Sequence, residues 1–132
     1  RMKKVVGIDT CVVLRLLTGL PEDQADRARL FYSDCMQQGV GILVNDLIVA
    51  EVYHALIYFY DVPKAQALAR LQAFLTTPGV LCRGHAPAVL ATYDGKGAGL
   101  VDRLIRADLL KQTDRLVSFD KDFCRLPGVH AP

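Results

Sequence analysis

No stretch of this chain stays apolar for the ~18 residues that a bilayer-spanning helix needs, so hydropathy excludes a transmembrane segment. The N-terminus carries no apolar core followed by a small-residue cleavage site, and no secretory signal is read there. The four cysteines, Cys11, Cys35, Cys82 and Cys124, form no CxxC pair and lack zinc-ligand spacing. They read as reduced, mostly buried thiols of a cytoplasmic protein. The three histidines make no convincing acid–base pair: His85 and His130 fall in loop or chain-end positions, and His54 reads as a core residue or a support for another side chain. Internal repeats, low-complexity runs and linkers are missing too. One domain is expected over residues 2–132, with Arg1, which precedes Met2, read as a remnant outside it.

What is present suits a packed core. The chain has 132 residues, 52% of them hydrophobic and 23% charged, which is too apolar for disorder. A net charge of +2 permits a polyanionic partner without demanding one.

Strand and helix signals alternate. KKVVGI (3–8) reads as a buried strand and CVVLRLLTG (11–19) as a short helix stopped by Gly19. A helix is expected over 22–39 with early acids and a glycine exit, then a strand over 41–44. Asn45 looks like the N-cap of a helix over 46–60, and Pro63 opens another to residue 75. A strand at 80–83, a short helix from Pro87 to Tyr93 and a flexible loop, DGKGAG (94–99), follow. The last elements are a helix over 100–112, a strand over 116–119 and a short strand at 128–130. This alternation implies an α/β domain with a central, mainly parallel sheet flanked by helices on both faces.

Four acids sit in apolar settings. Asp9 follows the first strand and Asp120 the fourth, which puts both at the carboxyl rim where such sheets bind ligands. Glu51, in LIVAEVYHAL, is expected on a largely buried helix face with Leu47, Ile48, His54 and Ala55. Asp102 falls in the first turn of its helix, where the dipole favours an anion. Each acid alone has a plain structural reading: Asp9 as a helix cap, Asp102 as a first-turn acid, Asp120 as the start of a turn with Lys121, Glu51 as the partner of an arginine. One shared metal site accounts for all four at once, and for Asp9 it is preferred over the cap. Gathered carboxylates repel unless a cation joins them, and oxygen-only ligands suit Mg²⁺ or Mn²⁺. The implied chemistry is metal-assisted hydrolysis of a phosphodiester.

Four segments now carry a resemblance: IDTCVVLRLLTG, the helix around VAEVYHAL, GAGLVDRLIRA and LVSFDKDFCRLPGV. In these the chain resembles PIN-domain ribonucleases, and among them the VapC-like toxins of bacterial toxin–antitoxin pairs. The resemblance implies a PIN-like single domain. It implies an endoribonuclease that leaves 5′-phosphate and 3′-hydroxyl ends on transfer or ribosomal RNA. It makes Asp9, Glu51, Asp102 and Asp120 the catalytic metal-binding acids, with Thr10 and Ser118 behind them. It also implies an antitoxin partner and a homodimer. The chain departs from the family where Cys11 replaces an asparagine, where Gly99 replaces a further acid and where His54 replaces an aromatic residue. Cys11 and Gly99 motivate the alternative of a catalytically weakened module that binds RNA or antitoxin.

Arg15, Lys96, Arg103, Arg106 and Lys121 are candidates to hold RNA phosphates, as is Arg125, against ordinary surface charge. Arg15 is also a candidate partner for an antitoxin residue or a core acid. Tyr53, Tyr58, Phe59 and Tyr60 read mostly as core or interface aromatics. The helices at 46–60 and 63–75 could present an apolar surface to a dimer mate or an antitoxin helix. A phosphatase of the haloacid dehalogenase type is disfavoured, because Asp9-Thr10-Cys11 lacks the second acid of its DxD pattern.

Overall fold

Helices and strands alternate as the pattern predicts, and every strand pairing is parallel. The computed structural model describes residues 4–132. The readings of Arg1 and of Lys3 as the first strand residue lie outside them. The chain forms two compact units, one ending at Gly84 and one running from His85 to Pro132. No helix among the described residues is long and apolar enough to cross a membrane.

The first unit contains β1 (Lys4–Gly7), α1 (Thr10–Thr18), α2 (Glu22–Gln38), β2 (Val40–Val44), α3 (Asp46–Tyr58), α4 (Lys64–Leu75) and β3 (Val80–Cys82). Its sheet has the order β1-β2-β3, with Val6 opposite Ile42 and Ile42 opposite Val80. Parallel neighbours need long crossovers, and the pairs α1–α2 and α3–α4 supply them. Ile42 and Val44 of the middle strand are buried, as are Val13, Val52, Leu56 and Leu71 on the helices. β1 was expected to be buried, yet Lys4, Val5 and Gly7 are exposed. Its β-branched run reports strand propensity, and burial goes instead to β2, which has a hydrogen-bonded neighbour on each side.

The second unit contains α5 (Ala86–Thr92), α6 (Leu100–Leu109), β4 (Leu116–Val117), a 3₁₀ turn (Phe123–Arg125) and β5 (Val129–His130). β4 and β5 pair in a separate ladder, Leu116 opposite Val129. Ala98, Leu116, Phe123 and Val129 form its apolar cluster, with Leu110, Cys124 and Leu126 packed against them. Ser118 and Phe119, expected in the strand, lie beyond its end, and α6 stops at Leu109, short of residue 112.

Local chemistry explains the boundaries. Gly19 and Gly39 end α1 and α2 in left-handed conformations, φ 72° and 68°, that favour glycine. The Asn45 side chain accepts the Ile48 N–H at 3.0 Å and caps α3. The four cysteines are free, but only Cys35 is buried; Cys82 and Cys124 are half-buried and Cys11 is exposed, so the mostly buried expectation fails. Cys11 lies at the start of α1, outside its buried stripe of Val13 and Leu14.

Replacing Asn45 with Ala removes the cap acceptor and is expected to destabilise the protein by about 1 kcal/mol. The check is urea unfolding, where the midpoint falls while the slope m is unchanged.

Candidate active site

Asp9 stands two residues past β1, in extended conformation, and begins α1. Its Oδ1 accepts the Val12 N–H at 3.2 Å, so it is the N-cap of that helix. The expectation that Asp9 is not a cap is therefore corrected: Asp9 caps α1. A carboxylate has about four lone-pair sites, and one such bond leaves the others for a further ligand. Asp9 is also exposed, where its apolar neighbours in sequence suggested partial burial. Those neighbours belong to β1 and α1, and Asp9 stands between the two elements.

Glu51 is exposed as well. The buried stripe of α3 is Val49, Val52, Ala55 and Leu56, and Glu51 lies off it together with Leu47 and His54. Its expected place on a buried face is corrected accordingly. The Thr10 hydroxyl donates to Glu51 Oε1 at 2.7 Å. Thr10 is the residue after Asp9, so this bond ties the start of α1 to the middle of α3. Thr10, Glu51, His54 and Phe59 line a cleft of about 390 Å³.

In the second unit Asp102 occupies the first turn of α6 and is half-buried. Burial raises its carboxyl above the usual carboxylate range, and the nearby Asp120 carboxylate raises it further. Asp120 is fixed from both sides. Its N–H donates to Ser118 Oγ at 3.0 Å, and its Oδ1 accepts the Phe123 N–H at 2.8 Å. Ser118 is itself held, because its N–H donates to the His130 carbonyl at 2.9 Å and its carbonyl accepts the Cys124 S–H at 3.3 Å.

Each unit thus presents a pair of acids, and within neither do the described residues gather three or more His, Cys, Asp or Glu into a cluster. The donor chemistry fits a hard divalent cation: oxygen ligands only, with mutual repulsion that a cation relieves. A PIN domain family model matches residues 6–129. The chain belongs to the PIN domain family. No curated protein matches it. PIN domains are generally nucleases and typically use divalent metals.

The cations of this PIN domain divide sharply. Arg15 Nε donates to Gln24 Oε1 at 2.7 Å and Nη1 to the Tyr60 hydroxyl at 3.3 Å, so its expected core acid is replaced by neutral partners. Arg103 turns inward. Its Nε donates to the Ala98 carbonyl at 2.8 Å, its Nη2 to the Lys96 carbonyl at 2.9 Å, and its guanidinium lies 4.4 Å from the Tyr93 ring centroid. It clamps the glycine-rich loop that leads into α6, a role the sequence reading missed. Arg106 donates to the Pro127 carbonyl at 2.7 Å, and Arg125 pairs with Asp122 at 3.2 Å. Lys96 and Lys121 are exposed. The Lys96 N–H donates to Asp94 Oδ1 at 2.9 Å, which with the Arg103 bond holds both sides of its backbone unit.

Of the aromatics expected in the core or at an interface, two lie outside the core. Tyr58 is 69% and Phe59 77% exposed, and His54 stacks on Tyr58 with ring centroids 4.5 Å apart. They lie at the C-terminal end of α3, off its buried stripe.

The raised Asp102 carboxyl sets the sign of a stability effect. A folded state that holds a proton the unfolded state releases loses stability as pH rises above the ordinary carboxylate range. At pH 7 the metal-free Asp102→Asn protein is therefore expected to melt above the wild type. Mg²⁺ is expected to raise the melting temperature of the wild type and to raise that of Asp102→Asn less. Scanning calorimetry with and without Mg²⁺ checks both, and equal metal-free melting temperatures would contradict the repulsion.

Proposed function

We propose that this PIN domain is a metal-dependent endoribonuclease and the toxin of a toxin–antitoxin pair. The observation that carries the reading is the Asp102 carboxyl held up by burial and by Asp120, within a chain that matches the PIN family along most of its length. Asp9, Glu51, Asp102 and Asp120 are the acids that hold Mg²⁺ or Mn²⁺. When bound, the metal supplies Lewis-acid activation of water for attack on a phosphodiester.

The chain's own residues prepare the acids. Thr10 orients Glu51 through its 2.7 Å bond. The cap bond fixes one oxygen of Asp9. Ser118 and the Phe123 N–H hold Asp120 in one pose. A water nucleophile leaves the ribose 2′-hydroxyl out of the reaction, so the products are 5′-phosphate and 3′-hydroxyl ends. The RNA is a transfer or ribosomal RNA in this reading, and the protein works in the cytoplasm. The exposed Leu47, Tyr58 and Phe59 supply apolar surface for an antitoxin or a second copy of the chain.

The competing reading, a weakened module that binds RNA or antitoxin without turnover, draws on Gly99 and Cys11. Gly99 precedes α6 without a side-chain cap, and Cys11 is exposed beside Thr10.

End mapping of RNA incubated with Mn²⁺ separates the readings. New 5′-phosphate ends are expected with the wild type and none with Asp102→Asn. Cyclic 2′,3′-phosphates would rule out the hydrolytic mechanism, and no cleavage by the wild type would favour the binding module. Within an active enzyme, Thr10→Val is expected to raise the metal concentration for half-maximal activity about 10- to 100-fold. Thr10→Ser keeps the hydroxyl and should stay near the wild type.

A further inference from the structure

Phe119 is the most exposed large hydrophobic residue among those described, at 90%. Scattered surface hydrophobics need no explanation, but this one stands on a rigid support. Ser118 before it donates its N–H to the His130 carbonyl and accepts a Cys124 S–H. Asp120 after it donates its N–H to Ser118 Oγ, accepts the Phe123 N–H on Oδ1 and accepts the Cys124 N–H on its carbonyl at 3.0 Å. Both neighbours of Phe119 are pinned, so its ring is not outside because the segment is slack. The apolar cluster of this unit takes Leu116 and Phe123 from the same stretch and leaves Phe119 in water.

The next residues complete a pattern. Phe119, Asp120 and Lys121 present an aromatic ring, an acid and an exposed cation in succession. RNA offers a counterpart to the ring and the cation, a base face for the one and a phosphate for the other, and the acid would hold a metal ion next to them. A protein partner would match the ring alone and would have to desolvate the two charges beside it.

We propose that Phe119 stacks on an unpaired RNA base beside the phosphate handled at Asp120, and so positions the strand there. The inference rests on the nuclease reading and names a substrate-positioning residue. In an A-form duplex each base is stacked on its neighbours and offers the ring no face. A stacking residue is tolerant of base identity because every base has a π-face.

The test is fluorescence anisotropy with the full chain, in EDTA and in Ca²⁺, on labelled oligouridylate, on the same backbone made abasic and on an RNA duplex. The wild type is expected to bind oligouridylate most tightly. Phe119→Ala should weaken that binding about tenfold and leave the abasic backbone unchanged, while Phe119→Tyr should restore it. Circular dichroism confirms that the variants are folded. Equal binding by Phe119→Ala and wild type, or an equal loss on the uridylate and abasic RNAs, overturns the proposal. A change in self-association by sedimentation with RNA binding intact also overturns it and makes Phe119 a protein contact. Mn²⁺-dependent cleavage by the wild type, run in parallel, keeps the two readings apart. Cleavage with no Phe119 effect removes only the stacking, whereas a wild type that neither binds nor cleaves RNA removes both.

Discussion

Like charges held close are the constraint around which the second unit is arranged. The Asp102 carboxyl is raised first by burial and further by the nearby Asp120 carboxylate. Without restraint, rotation of either side chain or a shift of either backbone would relieve the repulsion. The structure blocks both routes at Asp120, whose carboxylate and N–H are bonded to Phe123 and Ser118. It blocks the backbone route at Asp102 differently. Arg103, the next residue, clamps the carbonyls of Ala98 and Lys96 and stacks on Tyr93, which fixes the loop that opens α6. Stability alone gives no reason to hold two acids in this way, whereas a divalent cation turns the same repulsion into a binding site.

The first unit solves a related problem by other means. Asp9 and Glu51 are both exposed. Their order comes from backbone and hydroxyl donors: the Val12 N–H on Asp9 and the Thr10 hydroxyl on Glu51. A helix cap and a metal ligand are compatible roles for one carboxylate, because a cap bond engages one lone pair and points the group along the start of the helix. Such a cap is also a positioning device.

Much of the fold was legible because it is set by local signals. Asn45, Gly19 and Gly39 mark helix ends by chemistry that acts within one turn, and the structure places those ends where the signals stand. Parallel pairing followed from alternation. Burial was less legible. α3 is apolar nearly all round, so its sequence does not announce which stripe faces inward, and Glu51 lies off the buried one. The flanks of Asp9 are apolar in sequence, but its position at a helix start exposes it. The division of five strands into ladders of three and two depends on register between distant segments, which composition does not encode.

The cations show the limit of reading charge by proximity. Arginines near candidate acids are candidates for phosphate contacts, yet a glycine-rich loop leaves carbonyl groups that no regular element pairs, and a nearby guanidinium is the natural donor to them. Arg103 meets that need at Ala98 and Lys96, and Arg106 donates likewise to the Pro127 carbonyl outside that loop, their planar guanidinium groups suiting fixed carbonyl geometry. The lysines differ for the same physical reason. An ammonium is a compact, strongly hydrated charge on a flexible stem, so it stays in water unless a strong anion draws it in. Lys96 and Lys121 remain exposed, the first on a backbone unit pinned on both sides and the second directly after Asp120. In this PIN domain Arg103 and Arg106 bind backbone carbonyls, while Lys96 and Lys121 keep their side chains in water.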